Sequence, residues 1–72
     1  MSNNALWRMD GDNLAAYTED LEVMRKIHRS YPDFSLMATY EKDGVIYARQ
    51  YRIPSKRKRS ARHLLGVNVQ QT

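Results

Sequence analysis

Four consecutive cations, Lys56-Arg57-Lys58-Arg59, are the densest chemistry in the chain. Arg62 comes after them, and Arg49 and Arg52 precede them. Lys and Arg neutralise phosphates and release condensed counterions, so such a run gives polyanion affinity that falls as salt rises. Gln50 lies between the two arginines that precede the run. A side-chain amide pairs well with an adenine edge. Arg49, Gln50, Arg52, Lys56, Arg57, Lys58, Arg59 and Arg62 are therefore the candidate nucleic-acid-binding residues. The plainer readings of the run are a solubilising tail or a nuclear-import address.

Charge is partitioned along the chain. The net charge is +4. From Met1 to Met24 there are five acids and one base; from Gly44 to Thr72 there are seven bases and no acid. An acid-free, base-rich half attracts polyanions and speeds encounter with them. Tyr40, Tyr47 and Tyr51 add a second possibility: aromatic rings stack single-stranded bases when their face is uncovered. With so few other large apolar residues, their expected place is the core.

Catalytic signals are weak. A nucleophilic site needs Ser, Cys or Thr beside a base and an orienting group. His28 and His63 stand far apart and in no ligand spacing, and there is no cysteine. Disulfides and thiolate metal sites are thus excluded. Asp10-Gly11-Asp12 lacks the remaining ligands of a calcium loop and reads as a turn leading into a helix. No phosphate-binding or zinc-protease motif occurs. The expectation is a protein that is not an enzyme and needs neither cofactor nor metal.

A chain of 72 residues allows one domain. Such a domain buries roughly 60% of the surface its unfolded form exposes, so its stability is on the order of 3–5 kcal/mol. Good packing or self-association must offset the thin core, which makes a homodimer one possible solution. No apolar run approaches the roughly 18 residues of a membrane span, and the N-terminus lacks a secretory pattern. A cytoplasmic protein without membrane contact is expected.

The elements that must position these residues emerge from local signals. The strongest helix runs from Thr18 to Ser30. Thr18 suits an N-cap, Glu19, Asp20 and Glu22 suit the positive helix end, and Arg25, Lys26, His28 and Arg29 suit the other. Leu21, Met24, Ile27 and His28 make one stripe, widened by Val23. Pro32 ends the helix by disfavouring a helical Tyr31. An earlier start is possible, with Leu14-Ala15-Ala16-Tyr17 as first turns.

Phe34–Tyr40 and Val45–Ile53 read as a β-hairpin, with Asp43-Gly44 as a type I′ turn. A two-residue loop pairs Lys42 with Val45, Tyr40 with Tyr47, Ala38 with Arg49, Leu36 with Tyr51 and Phe34 with Ile53. One face then carries Phe34, Leu36, Ala38, Tyr40, Val45, Tyr47, Tyr51 and Ile53, with Arg49 the exception. Ala5–Met9 is a short strand or an arm docking through Trp7, the expected anchor of the core. After Pro54, residues 55–62 are expected to be extended by charge repulsion, or a short helix against phosphate. Leu64 and Leu65 dock on the body, and Asn68–Thr72 fray.

The fold class expected is therefore α+β: one main helix packed on an antiparallel hairpin, with a possible third N-terminal strand. The body spans about 5–54 and the basic segment 55–72. The leading functional expectation is a small non-enzymatic nucleic-acid-binding accessory or regulatory protein, on DNA or RNA. The alternative is a protein-binding inhibitor or adaptor of the kind phages and mobile elements encode. It would act through the hairpin edge or by bringing the basic tail to an acidic partner.

Overall fold

The computed structural model describes residues 3–70. Strand β1 (Asn4–Arg8) turns back into β2 (Asn13–Thr18), and helix α1 (Leu21–Ser30) leads to β3 (Ser35–Lys42) and β4 (Val45–Pro54). A 3₁₀ turn (Ser55–Arg57) and helix α2 (Lys58–Leu65) complete the order. The strands form one antiparallel sheet in the order β1-β2-β4-β3. This corrects the expectation of one helix on a hairpin: there are two hairpins in one sheet, and two helices. No helix among the described residues is long and apolar enough to cross a membrane.

Both helices lie on the same side of the sheet. Leu6, Leu14, Ala16, Tyr51 and Ile53 of the strands share a single core cluster with Val23 and Ile27 of α1 and Ala61 and Leu65 of α2. In a strand, alternate residues point to opposite faces. The paired rows Leu6–Ala16–Tyr51 and Leu14–Ile53 therefore define the helix-covered face. The other face carries Trp7, Ala15, Tyr17, Gln50 and Arg52. Trp7 is only half-buried there and is not the core anchor; Leu6, its neighbour, is fully buried instead.

Leu14-Ala15-Ala16-Tyr17 is strand, not helix, despite its alanines. All of Leu14, Ala15 and Ala16 have 0% exposure because β2 is an inner strand, flanked by β1 and β4. Tertiary pairing here overrides the helix preference of alanine. Thr18 ends that strand. The N-cap of α1 is Asp20, whose carboxylate accepts a hydrogen bond from the Glu22 N–H. The helix ends at Ser30 with Tyr31 as C-cap, where Pro32 was expected to stop it.

The second hairpin keeps its turn and loses its simple register. Asp43 (φ 53°) and Gly44 (φ 79°) both adopt the positive φ of a type I′ turn. Lys42 pairs with Val45 and Leu36 with Tyr51. Between them, Tyr40 pairs with Ala48 rather than Tyr47, and Ala38 with Gln50 rather than Arg49. Two bulges cause this: Tyr47 is extra on β4 and Met37 is extra on β3. A bulge places two residues against one and shifts the facing of the residues beyond it. The expected apolar face is therefore split. Leu36, Tyr51 and Ile53 face the helices; Ala38, Tyr40 and Tyr47 face the other way. Phe34 precedes β3, buried and stacked on Tyr31 at 4.8 Å between ring centroids.

The C-terminal segment is also ordered into the fold rather than frayed. The Gln70 N–H donates to Leu6 O at 2.7 Å, and Trp7 and Gln70 form a parallel bridge on the outer edge of β1. Val67 and Val69 pack against the core. The expectation for the last two residues lies outside the described ones.

Candidate nucleic-acid interface

The basic run is a folded element and not an extended tail. Pro54 closes β4, the chain tightens through one 3₁₀ turn, and α2 begins at Lys58. Ala61 and Leu65 anchor α2 in the core, which directs the charged residues outward. Gly66 (φ 70°) ends the helix in the left-handed conformation, its N–H bonding to Arg62 O. Charge repulsion is overcome because the helix buries one apolar stripe and leaves each cation hydrated.

The four cations of the run differ in role. The Arg57 guanidinium lies over the rings of Tyr31 and Phe34, and its Nε is 3.2 Å from Asp33 Oδ2. That Nε is buried, and its approach to the carboxylate lacks hydrogen-bond alignment. Arg57 is thus occupied within the fold, contrary to its expected role as a free contact. Lys56, Lys58 and Arg59 are exposed, and none has an ion-pair partner among the described residues. Arg62 is exposed while two of its nitrogens reach Asn68 Oδ1, at 3.1 Å and 2.6 Å. Arg59, Arg62 and His63 border a shallow depression of about 370 Å³ with Gly66, Val67 and Asn68.

Arg49 and Arg52 do not extend this surface together. Three residues apart in a strand, they point to opposite faces. Arg49 pairs with Thr18 and Thr39 on the helix side. It borders a groove of about 410 Å³ with Leu21, Met24, Arg25, His28 and Ile46, and its Nε is buried without a partner. Arg52 is exposed on the open face beside Ala15 and Ser35. The Asp12 N–H donating to Asp10 Oδ1 holds the Asp10 carboxyl below the ordinary carboxylate range, with hydrogen bonds from Asn13 and, least, the Arg52 charge acting the same way. Gln50 shares the face of Arg52, and its Oε1 accepts from the Tyr40 hydroxyl at 3.0 Å.

No family model, no curated protein and no solved structure matches the chain. The candidate interface therefore stands on its own geometry.

One group of residues was not placed in the site by sequence, and a second was raised there only as an alternative to core packing. Lys26 and Arg29 of α1 are exposed in the same layer as α2. The Arg57–Asp33 contact joins the end of α1 to the start of α2, so the two basic ends are neighbours. Their clustering depends on both helices sharing one sheet face, which one-dimensional spacing does not show. The second group is the aromatic face. Tyr47 is exposed and Tyr40 half-buried on the face without helices, while Tyr51 is buried on the helix side. Tyr17 joins them: its ring centroid is 5.9 Å from Tyr40, and Tyr40 is 6.2 Å from Tyr47. Among the described residues, no three His, Asp or Glu side chains gather as metal ligands.

Proposed function

We propose that the protein binds nucleic acid through its helix layer. Lys56, Lys58, Arg59 and Arg62 around α2, with Lys26 and Arg29 of α1, contact backbone phosphates. The observation that carries this reading is the engagement of the acids in that layer: Asp20 caps α1, and the other two meet arginines. Glu22 is engaged by Arg25, and Asp33 by Arg57. The remaining cations are left exposed and uncompensated, on rigid helices rather than on a loose tail. A rigid cationic layer binds phosphates without the ordering cost a mobile tail would bear.

Contacts of this kind position a protein on nucleic acid and carry no sequence information by themselves. An accessory or regulatory role fits them better than catalysis. The test is a salt titration of fluorescence anisotropy on labelled duplexes. Each phosphate contact removed should lower the salt slope by about 1. A variant neutralising Lys56, Lys58, Arg59 and Arg62 together should show a visibly flatter slope and weaker binding. Unchanged affinity in that variant refutes the reading. Arg57 is left out of the variant because its loss would disturb the fold.

A second reading, a protein-binding inhibitor or adaptor, draws on the outer edge of β3. That strand ends the sheet, with Leu36 and Met37 exposed along it. An exposed edge accepts a partner strand through main-chain hydrogen bonds. Capture of one stoichiometric protein after nuclease treatment, with no duplex binding at low salt, would favour it.

A further inference from the structure

We propose that the open face of the sheet is a stacking platform for the bases of a single-stranded nucleic acid. This rests on the nucleic-acid reading above and deepens it with a second ligand geometry on the opposite side of the molecule.

The face carries four aromatic side chains, three of which form one cluster. Trp7 stands on β1, Tyr17 on β2, Tyr40 on β3 and Tyr47 at the bulge of β4. The last three are consecutive neighbours with centroids 5.9 Å and 6.2 Å apart. Between them lie two alanines and Gln50. Ala15 lies between Trp7 and Arg52, and Ala48 lies beside Tyr40. Both alanines are fully buried although no helix covers them. Neighbouring side chains therefore close over the alanines, and the rings themselves make the accessible apolar surface of this face. Stacking on a ring needs no particular base.

The polar groups suit the same ligand. The Tyr40 hydroxyl is bonded to Gln50 Oε1, which leaves the Gln50 amide N–H groups free of any side-chain partner among the described residues. Tyr17 is fixed by a 2.6 Å bond to Glu19 Oε2. The Tyr17 and Tyr40 rings and the Gln50 amide are thus each tied by a hydrogen bond.

Charge selects the occupant. By strand alternation, Arg52 stands at one end of the open face and Lys42 at the other. A second copy packed face to face by a two-fold axis in the sheet plane would set Arg52 against Arg52 or against Lys42. Like charges so placed oppose the contact. A strand of phosphates running along the rings meets a cation at each end. Of the nearby acids, Glu19 already accepts from Tyr17 and from Asn3 Nδ2, and Asp10 Oδ1 accepts from the Asp12 and Asn13 N–H groups.

The experiment measures anisotropy of a labelled oligothymidylate and of a labelled duplex with three variants: Y40A/Y47A, Y40F/Y47F, and the four-site neutralised helix variant. Circular dichroism melts confirm folding, and Y47A alone serves if the double alanine variant does not fold. Y40A/Y47A should weaken single-strand binding about tenfold or more and leave duplex binding within twofold. Y40F/Y47F should keep most of the single-strand binding, because both rings remain and only the Tyr40–Gln50 hydrogen bond is lost. Trp7 fluorescence should be quenched by the oligothymidylate and not by the duplex. Unchanged single-strand affinity in Y40A/Y47A, or equal loss on both ligands, overturns the platform. A sedimenting dimer that Y47A dissociates also overturns it, in favour of a second copy. If the neutralised helix variant keeps full duplex affinity while Y40A/Y47A loses the single strand, the helix-layer reading fails and the platform stands.

Discussion

The guanidinium carbon of Arg57 lies 5.3 Å from the centroid of the Tyr31 ring, and Arg57 Nε reaches Asp33 Oδ2 on the same loop. One side chain thereby fastens the loop after α1 to the start of α2. Stacking of a partly desolvated guanidinium contributes about 0.5–2 kcal/mol, and the half-exposed ion pair adds little. Arg57→Ala should lower the stability by about 1–2 kcal/mol in a denaturant titration. Arg57→Lys should recover only part of this, since an ammonium keeps the charge and loses the planar stack. Lys58→Ala and Arg59→Ala touch nothing buried and should stay within about 0.5 kcal/mol of the parent. On duplex affinity the order should reverse, with Lys58 and Arg59 mattering and Arg57 acting only through folding.

The left-handed residues offer a cleaner contrast. An added Cβ at Gly44, Gly66 or Gly11 would meet no atom within 4 Å. Steric collision is therefore not the reason for any of these glycines. Gly44 and Gly66 have φ of 79° and 70°, a conformation costing an L-residue about 1–2 kcal/mol. Gly11 has no positive φ. Gly44→Ala and Gly66→Ala should each lower stability by about 1 kcal/mol, and Gly11→Ala should be close to neutral. Equal effects at all three positions in thermal melts would contradict the backbone account.

Tyr17 should keep its phenolic proton to high pH. Its hydrogen bond to Glu19 raises the phenol to about 12, with desolvation and the Glu19 charge acting in the same direction. The fold then holds this proton more tightly than the unfolded chain, whose phenol ionises near 10. The stabilising contribution is complete below about pH 10 and fades as the pH rises towards 12. Near-ultraviolet phenolate absorbance should show a late step that Tyr17→Phe removes. Glu19→Gln should bring that step down towards the ordinary range.

Much of the local structure was legible in the residues. Asp43-Gly44 announced its turn because the required positive φ restricts the choice of residue. Pro32 and Pro54 marked the ends of α1 and β4. The two bulges were not legible, because Met37 and Tyr47 belong to types at home in regular strand. The bulges offset each other, so the pairing at Leu36–Tyr51 is what an unbulged hairpin would give. The first hairpin was misread at Leu14–Tyr17 because Ala15 on the open face is as apolar as Leu14 and Ala16 on the covered one, so the segment displays no alternation. Among the site residues, the exposure of Lys56, Lys58 and Arg59 was foreseeable from composition. The capture of Arg57 was not, since it depends on Tyr31, Asp33 and Phe34 arriving from a distant part of the chain. The separation of Arg49 from Arg52 was implicit in their spacing once both lay on one strand.

Thr18 shows how a correct chemical signal can be attached to the wrong element. Its hydroxyl does accept a backbone N–H, that of Asp20 at 3.0 Å, but from the end of β2 rather than as the cap of α1. The same hydroxyl donates to Asn4 Oδ1 at 2.6 Å, and Asn4 Nδ2 donates to Leu65 O at 3.0 Å. A chain of three hydrogen bonds thus runs from the approach to α1, across β2 and β1, to the last turn of α2. Thr18 has 0% exposure, so water cannot replace a lost partner without opening the fold. Thr18→Val keeps the shape and removes the hydroxyl, leaving the Asp20 N–H and the Asn4 carbonyl without it. Each buried group so orphaned costs about 1–3 kcal/mol, and Asn4 would lose its fixed orientation towards Leu65. Thr18→Ser keeps both bonds and removes one buried methyl, for about 1 kcal/mol. Denaturant midpoints should therefore rank the parent first, Thr18→Ser second and Thr18→Val last. A simple hydrophobic core position would place Thr18→Val above Thr18→Ser, and that order would show that the hydrogen-bond chain does not couple the two helices.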